Sequence, residues 1–110
     1  MTNILGRLTM SKLQAIQMPR GGVAWSGVIL RDGKPYFTVE NRGDGGCNFY
    51  VPVSRDNYRE VRDEIEGIER TATAETGMQF EALDAITSLM EDGDTAAQHI
   101  ASVKAEAEGG

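Results

Sequence analysis

Hydrophobic positions in the first half of the chain alternate with a period near two, whereas those in the second half recur every three to four residues. Residues 23–31 (Val-Ala-Trp-Ser-Gly-Val-Ile-Leu-Arg) and 36–40 (Tyr-Phe-Thr-Val-Glu) are rich in β-branched and aromatic types and flank the turn signal Asp32-Gly33-Lys34. They predict a hairpin. Gly27 within its first strand predicts a bulge or a close backbone approach. Part of residues 8–18 predicts an earlier strand, ended by Pro19-Arg20-Gly21-Gly22. Residues 48–53 predict a further strand, short or at an edge, because Pro52 has no amide to donate. Trp25 shares a side of its strand with Val23 and is expected in the core. Tyr36–Phe37 and Phe49–Tyr50 each place neighbouring aromatics on opposite faces, so one of each pair should be buried.

Beyond Val53 the period changes. Ser54 or Asp56 is suited to cap a helix, because either side chain can accept a bond from a free backbone amide. Tyr58, Val61, Ile65 and Ile68 then fall on one face of a helix reaching Arg70, with charged residues opposite. Thr71–Gly77 reads as a polar linker. A second helix is predicted from Gln79 to Glu91, with Phe80, Leu83, Ile86, Leu89 and Met90 as its apolar positions. Asp92-Gly93-Asp94 ends it. Asp94 is placed to cap a third helix whose apolar groups (Ala96, Ala97, Ile100, Ala101, Val103) are small, and which should fray from Glu106 onward. The pattern as a whole predicts one α+β domain over residues 1–110, with 1–53 mainly strands and 54–110 mainly helices. Its antiparallel sheet of three to four strands should carry two to three C-terminal helices on one face.

A chain of 110 residues supports one small core, which leaves room for a flat binding face or a homodimer. No apolar run approaches the ~20 residues needed to span a bilayer. The first residues, Met1 to Arg7, lack a signal-peptide pattern, and one cysteine cannot form an internal disulfide. The expectation is a cytoplasmic protein with no membrane partner. The net charge of −6 is unevenly divided. Residues 1–53 hold six basic and three acidic residues, and residues 54–110 hold five basic and fourteen acidic ones. The acidic half disfavours direct contact with nucleic acid, whose phosphates require positive charge. It suits a protein partner that itself binds nucleic acid, with Glu60, Asp63, Glu64 and Glu66 as the acidic partner face.

The candidate site is the loop Asn41-Arg42-Gly43-Asp44-Gly45-Gly46-Cys47-Asn48, together with Tyr50 just beyond it. Its glycines permit positive φ, and successive backbone amides in such a loop can converge on one anion. Arg42 would add a charge-assisted bond to a phosphate or carboxylate. The loop matches neither the phosphate-binding pattern that opens a helix nor the dinucleotide fingerprint, and a wide turn with a bulge is the simpler reading. Asn41, Asp44, Asn48 and Glu40 offer oxygens to a hard cation, but not at EF-hand spacing. Cys47 and His99 are the sole thiol–imidazole combination, and a buried structural cysteine with a surface histidine is the simpler reading. No catalytic residue, cofactor or metal is assigned.

The run from Ala24 to Tyr50 resembles a pattern of small uncharacterised phage and prophage proteins. In these, a strand, Asp-Gly-Lys and a second strand lead into an Asn-x-Gly-x-Gly-Gly-x-Asn-x-Tyr-like loop. The matching residues are Asp32-Gly33-Lys34, Val39-Glu40-Asn41, Gly43, Gly45-Gly46 and Cys47-Asn48-Phe49-Tyr50. The resemblance covers about a quarter of the chain and carries no known activity. By analogy it implies a non-enzymatic inhibitor that blocks a host defence protein, such as a CRISPR effector, through acidic nucleic-acid mimicry. The alternative is a small-ligand module that holds a nucleotide or other anion on the Gly43–Gly46 loop.

Overall fold

The computed structural model describes residues 4–43 and 47–109. A 3-10 turn at Ile4–Arg7 leads into β1 (Leu8–Gln17), β2 (Val23–Arg31), β3 (Lys34–Asn41) and β4 (Phe49–Pro52). The strands form one antiparallel sheet in the order β1-β2-β3-β4. Three α-helices follow: α1 (Tyr58–Thr76), α2 (Ala82–Leu89) and α3 (Ile100–Gly109), the last entered through a 3-10 turn at Ala96–His99. The expected α+β architecture is present.

Strand register assigns the faces. Met10, Ile29, Phe37 and Pro52 form one row across the sheet, and Lys12, Gly27, Val39 and Tyr50 form the next. Pleating sends both rows to the same side, where α1 contributes Val61, Ile65, Ile68 and Ala72, α2 Leu83 and Ile86, and α3 Val103. The alternate rows, Ser11-Val28-Thr38-Val51 and Gln14-Ser26-Glu40-Phe49, point the other way. Among the described residues no layer covers that face, and Phe49, Val51 and Ile16 stand 42–48 % exposed on it.

Two bulges adjust the pleat. Leu13 is the extra residue of β1, since Lys12 pairs with Gly27 and Gln14 with Ser26. Tyr36 is the extra residue of β3, since Phe37 pairs with Ile29 and Pro35 with Leu30. The bulge lets Tyr36 and Phe37 both reach the helical side, where their ring centroids lie 5.3 Å apart and the Tyr36 hydroxyl donates to Glu64. The expected alternation therefore fails at that pair and holds for Phe49 and Tyr50. Gly27 meets its expectation in both respects: it lies beside the Leu13 bulge, and an added Cβ would sit 2.6 Å from Met10 Sδ and 3.2 Å from the Ser11 carbonyl oxygen. Trp25 is only half-buried, at the border of the core with Lys12 Nζ 5.1 Å from its ring centre, and Val23 is exposed.

The helices depart from the sequence reading in several ways. Neither Ser54 nor Asp56 caps α1; Ser54 Oγ instead accepts from the Asp56 amide, and the helix starts at Tyr58, itself exposed. Thr71–Thr76 is helix rather than linker. Ala72 and Thr76 extend the buried stripe, and Thr71 and Thr76 return their hydroxyls to the carbonyls four residues back. Gly77, at φ +78, ends α1 by donating its amide to the Thr73 carbonyl. Phe80 precedes α2 and is 78 % exposed, and Leu89 is also exposed. Asp94 does not cap the third helix. Thr95 holds that place, while the Asp94 carboxylate accepts from the Glu91 amide and bonds His99 Nε2. The helical conformation continues through Gly109, past the expected fraying point.

The outer edge of β1 is sealed by residues 92–94. Met10 exchanges backbone bonds with Asp94 and Gly93, and the Lys12 amide donates to Asp92 Oδ1. At the start of the chain, Leu5 is fully buried and the Arg7 guanidinium pairs with Asp32.

Met10 is itself enclosed, so it cannot yield to a side chain at the neighbouring glycine. Gly27→Val should destabilise the fold by about 1–3 kcal/mol, read as a lower midpoint in urea unfolding. An unchanged midpoint would refute the close-approach account of this glycine.

Candidate functional site

The two asparagines at the ends of the glycine loop close it. Asn41 Nδ2 donates to Asn48 Oδ1 at 2.7 Å, and Asn41 Oδ1 accepts from the Gly43 amide at 2.8 Å. Asn48 then ties the loop to α2. Its Nδ2 donates to Thr87 Oγ1 at 2.8 Å, and its backbone amide donates to Asp84 Oδ2 at 3.2 Å. The Tyr50 hydroxyl donates to Asp84 Oδ1 and lies 3.2 Å from Thr87 Oγ1, which donates in turn to the Leu83 carbonyl. Burial, reinforced by the Asp84 carboxylate, pushes the Tyr50 phenol well above its ordinary range. Among the described residues no buried side-chain nitrogen or oxygen lacks a partner. Asn41, Asn48 and Tyr50 therefore hold structure together, and the two asparagine carbonyls are already occupied as acceptors. Among the described residues no cluster of three His, Cys, Asp or Glu is placed to hold a metal.

On its outer side the loop meets the β1–β2 turn. Gly43, at φ +76, lies so close that an added Cβ would be 2.8 Å from the Ala24 amide nitrogen; Gly22, at φ +80, would place a Cβ 2.6 Å from the Gly43 carbonyl oxygen. Between these segments opens a recess of about 560 Å³, lined by Met18, Pro19, Arg20, Gly21, Gly22, Arg42 and Gly43. The Arg42 guanidinium lies over the Phe49 ring at 4.6 Å, on the open face of the sheet. Arg7, Lys12 and Arg31 reach carboxylates, whereas Arg20 and Arg42 have no ion-pair partner among the described residues. Asp44, Gly45 and Gly46, also expected in the site, lie outside the described residues.

Cys47 is exposed rather than buried, beside Asn41, Asn48, Glu81 and Asp84. His99 is half-buried and held by Asp94 at 2.8 Å, next to the edge of β1. The acidic positions of α1 divide as well. Glu60, Asp63 and Glu66 are exposed, but Glu64 turns toward the sheet, where Tyr36 donates to it and Arg31 Nη1 stands 3.8 Å away. Desolvation and the Glu64 contact raise the Tyr36 phenol to about 12. Arg59, Arg62 and Arg70 fall four residues from Asp63 or Glu66, so the outer stripe of α1 alternates in sign.

Comparison with known protein families, with curated proteins and with solved structures gives no match to this chain.

Sequence reasoning missed Asp84, Thr87 and Ser88 as the docking face of the loop, and Arg20 as the second guanidinium of the recess. The first carried a signal, since polar residues three and four apart lie within an otherwise apolar helix. Asn48→Ala deletes the side-chain link between loop and helix and leaves Asn41 Nδ2 without its acceptor. It should cost about 1–3 kcal/mol in chemical denaturation, whereas Ser88→Ala, which loses only a 3.5 Å contact, should stay within about 0.5 kcal/mol.

Proposed function

We propose that the chain is a non-enzymatic binding protein of the phage-inhibitor kind. It sets its acidic helical layer against a basic surface of a host defence or nucleic-acid-handling protein. The observation that carries this reading is that charge divides along the same line as the layers. Ten exposed carboxylates lie in residues 54–110, against five exposed basic residues, while the open face of the sheet bears Glu40 alone among its strand rows. An acidic surface of this kind draws a basic partner at long range and repels nucleic acid. Because α1 alternates in sign, the layer as a whole, including Glu81, Glu91 and Asp92, supplies the field. The analogy with phage proteins sets the host and defence context.

Reversal of Glu60, Asp63 and Glu66 to Lys should abolish capture of a host protein from lysate. It should also abolish any gain in phage plaquing on defence-proficient bacteria that express the chain. Glu64 stays unaltered because it belongs to the Tyr36 and Arg31 cluster. Full capture and full plaquing by the reversed protein would rule out the acidic-layer reading.

A second reading rests on the recess between Arg20 and Arg42. Arg20 and Arg42, neither with a carboxylate partner among the described residues, line it together with Met18 and Pro19, which suits a small anion with an apolar body, and the volume falls within the range of small-molecule pockets. Titration with a nucleoside monophosphate should shift the amide resonances of Gly21, Gly22 and Gly43. Arg20→Ala or Arg42→Ala should weaken that response about tenfold or more, as loss of a charge-assisted bond requires. Identical titrations in both variants would exclude the recess.

A further inference from the structure

The uncovered face of the sheet is the largest feature of the molecule that its own core leaves unexplained. In the four rows across that face, Ile16, Ala24, Val28, Leu30, Phe49 and Val51 alternate with small polar residues. Glu40 is the sole charge of the rows, and the guanidinium of Arg42 rests on neighbouring Phe49. A face of roughly 500 Å² matches the largest apolar patches that monomers carry, which are often functional.

We propose that this face is covered by a second copy of the chain, packed sheet to sheet about a two-fold axis. Three observations select a copy over another occupant. The first is charge. At −6 the chain repels itself, but its carboxylates are concentrated in the helical layer, behind the sheet. Facing sheets lie ~10 Å apart, and each acidic layer then stands a further layer back, beyond the Debye length of ~8 Å. The near-neutral face can therefore meet its twin.

The second is shape. Phe49 projects from β4, and a hollow of about 380 Å³ runs along the same part of the face from β1 to the end of β3, among Gln14, Ile16, Ala24, Ser26, Glu40 and Arg42. A two-fold axis along the strands between β2 and β3 lays β4 of each copy over β1 of the other with the rows in step. Each Phe49 then meets the other copy's hollow, so the face is complementary to itself as an isologous contact requires.

The third is area. Strands of ten, nine, eight and four residues, ~4.8 Å apart, give roughly 500 Å² per copy before side-chain relief. The two copies together reach the ~1,000 Å² at which specific interfaces begin.

The test is sedimentation equilibrium of the full chain up to about 100 µM, with Phe49→Ser and Val51→Lys as variants. Both positions are exposed, so circular dichroism and melting temperature should stay near those of the parent. The expected result is twice the 12.0 kDa chain mass for the parent, with at least about tenfold weaker association in each variant. Glu60→Lys, on the acidic layer, should associate like the parent. A parent that stays monomeric overturns the proposal, even if it captures another protein. A dimer that survives both substitutions overturns it too, since the contact then lies elsewhere. Neither readout depends on whether the acidic layer binds a host protein.

Discussion

The structure depends on a sheet that buries one face only. Phe37 and Ile29 are at most 1 % exposed, and each fully buried side chain of this size contributes about 1.5–3 kcal/mol. The rows through Met10 and Val39 belong to the single core cluster to which all three helices contribute, so substitutions there act on the whole core. Gly27 shows how tight the packing is. The missing side chain at that position is what lets Met10 lie down between β1 and the helices. The bulge at Tyr36 follows from the same demand, since it brings Tyr36 and Phe37 both to the covered side, whereas the bulge at Leu13 leaves that side chain exposed.

β4 has the weakest claim on the sheet. It is four residues long and contains Pro52, which gives no ladder bond from its nitrogen. The polar cluster of Asn48, Tyr50, Asp84 and Thr87 compensates by fastening β4 and the glycine loop directly to α2. Such a cluster costs desolvation and returns it only when every member is bonded, as here. It therefore contributes more to a single fixed arrangement than to net stability. Its two backbone companions, Gly22 and Gly43, let the neighbouring turns touch at main-chain distance.

The acidic residues are not one population. Glu69 accepts the Leu83 amide at the start of α2, and burial raises its pKa. A raised carboxylate opposes folding above its ordinary pKa, and that opposition fades as pH falls. Asp32 is held low by its bond to Arg7, and Asp94 by the Glu91 amide and then His99. Both support the fold above the ordinary carboxylate pKa and lose that support as acid protonates them. Glu64 and Asp84 serve tyrosine hydroxyls. These five work within the fold, as does Asp92 at the edge of β1, and the exposed carboxylates of residues 54–110 make the field of the helical layer.

By itself the sequence determined the strands, the hairpin at Asp32–Lys34 and the first apolar stripe of α1, because periods of two and of 3.6 reflect local backbone geometry alone. It also marked the glycine loop, since clustered glycines demand unusual φ wherever they occur. Only the tertiary structure decided that Thr71–Thr76 is helix, because Ala72 and Thr76 become core only when a sheet lies beneath them. Phe80 and Leu89 look apolar in sequence and stand in solvent, since where a short helix starts and which of its sides is covered depend on its neighbours. The same holds for the site. That Asn41 and Asn48 are fasteners, that Arg20 joins Arg42, and that Cys47 and His99 have separate surroundings depend on pairings between distant segments. No local pattern encodes these, because the contacts exist only after the meander has closed.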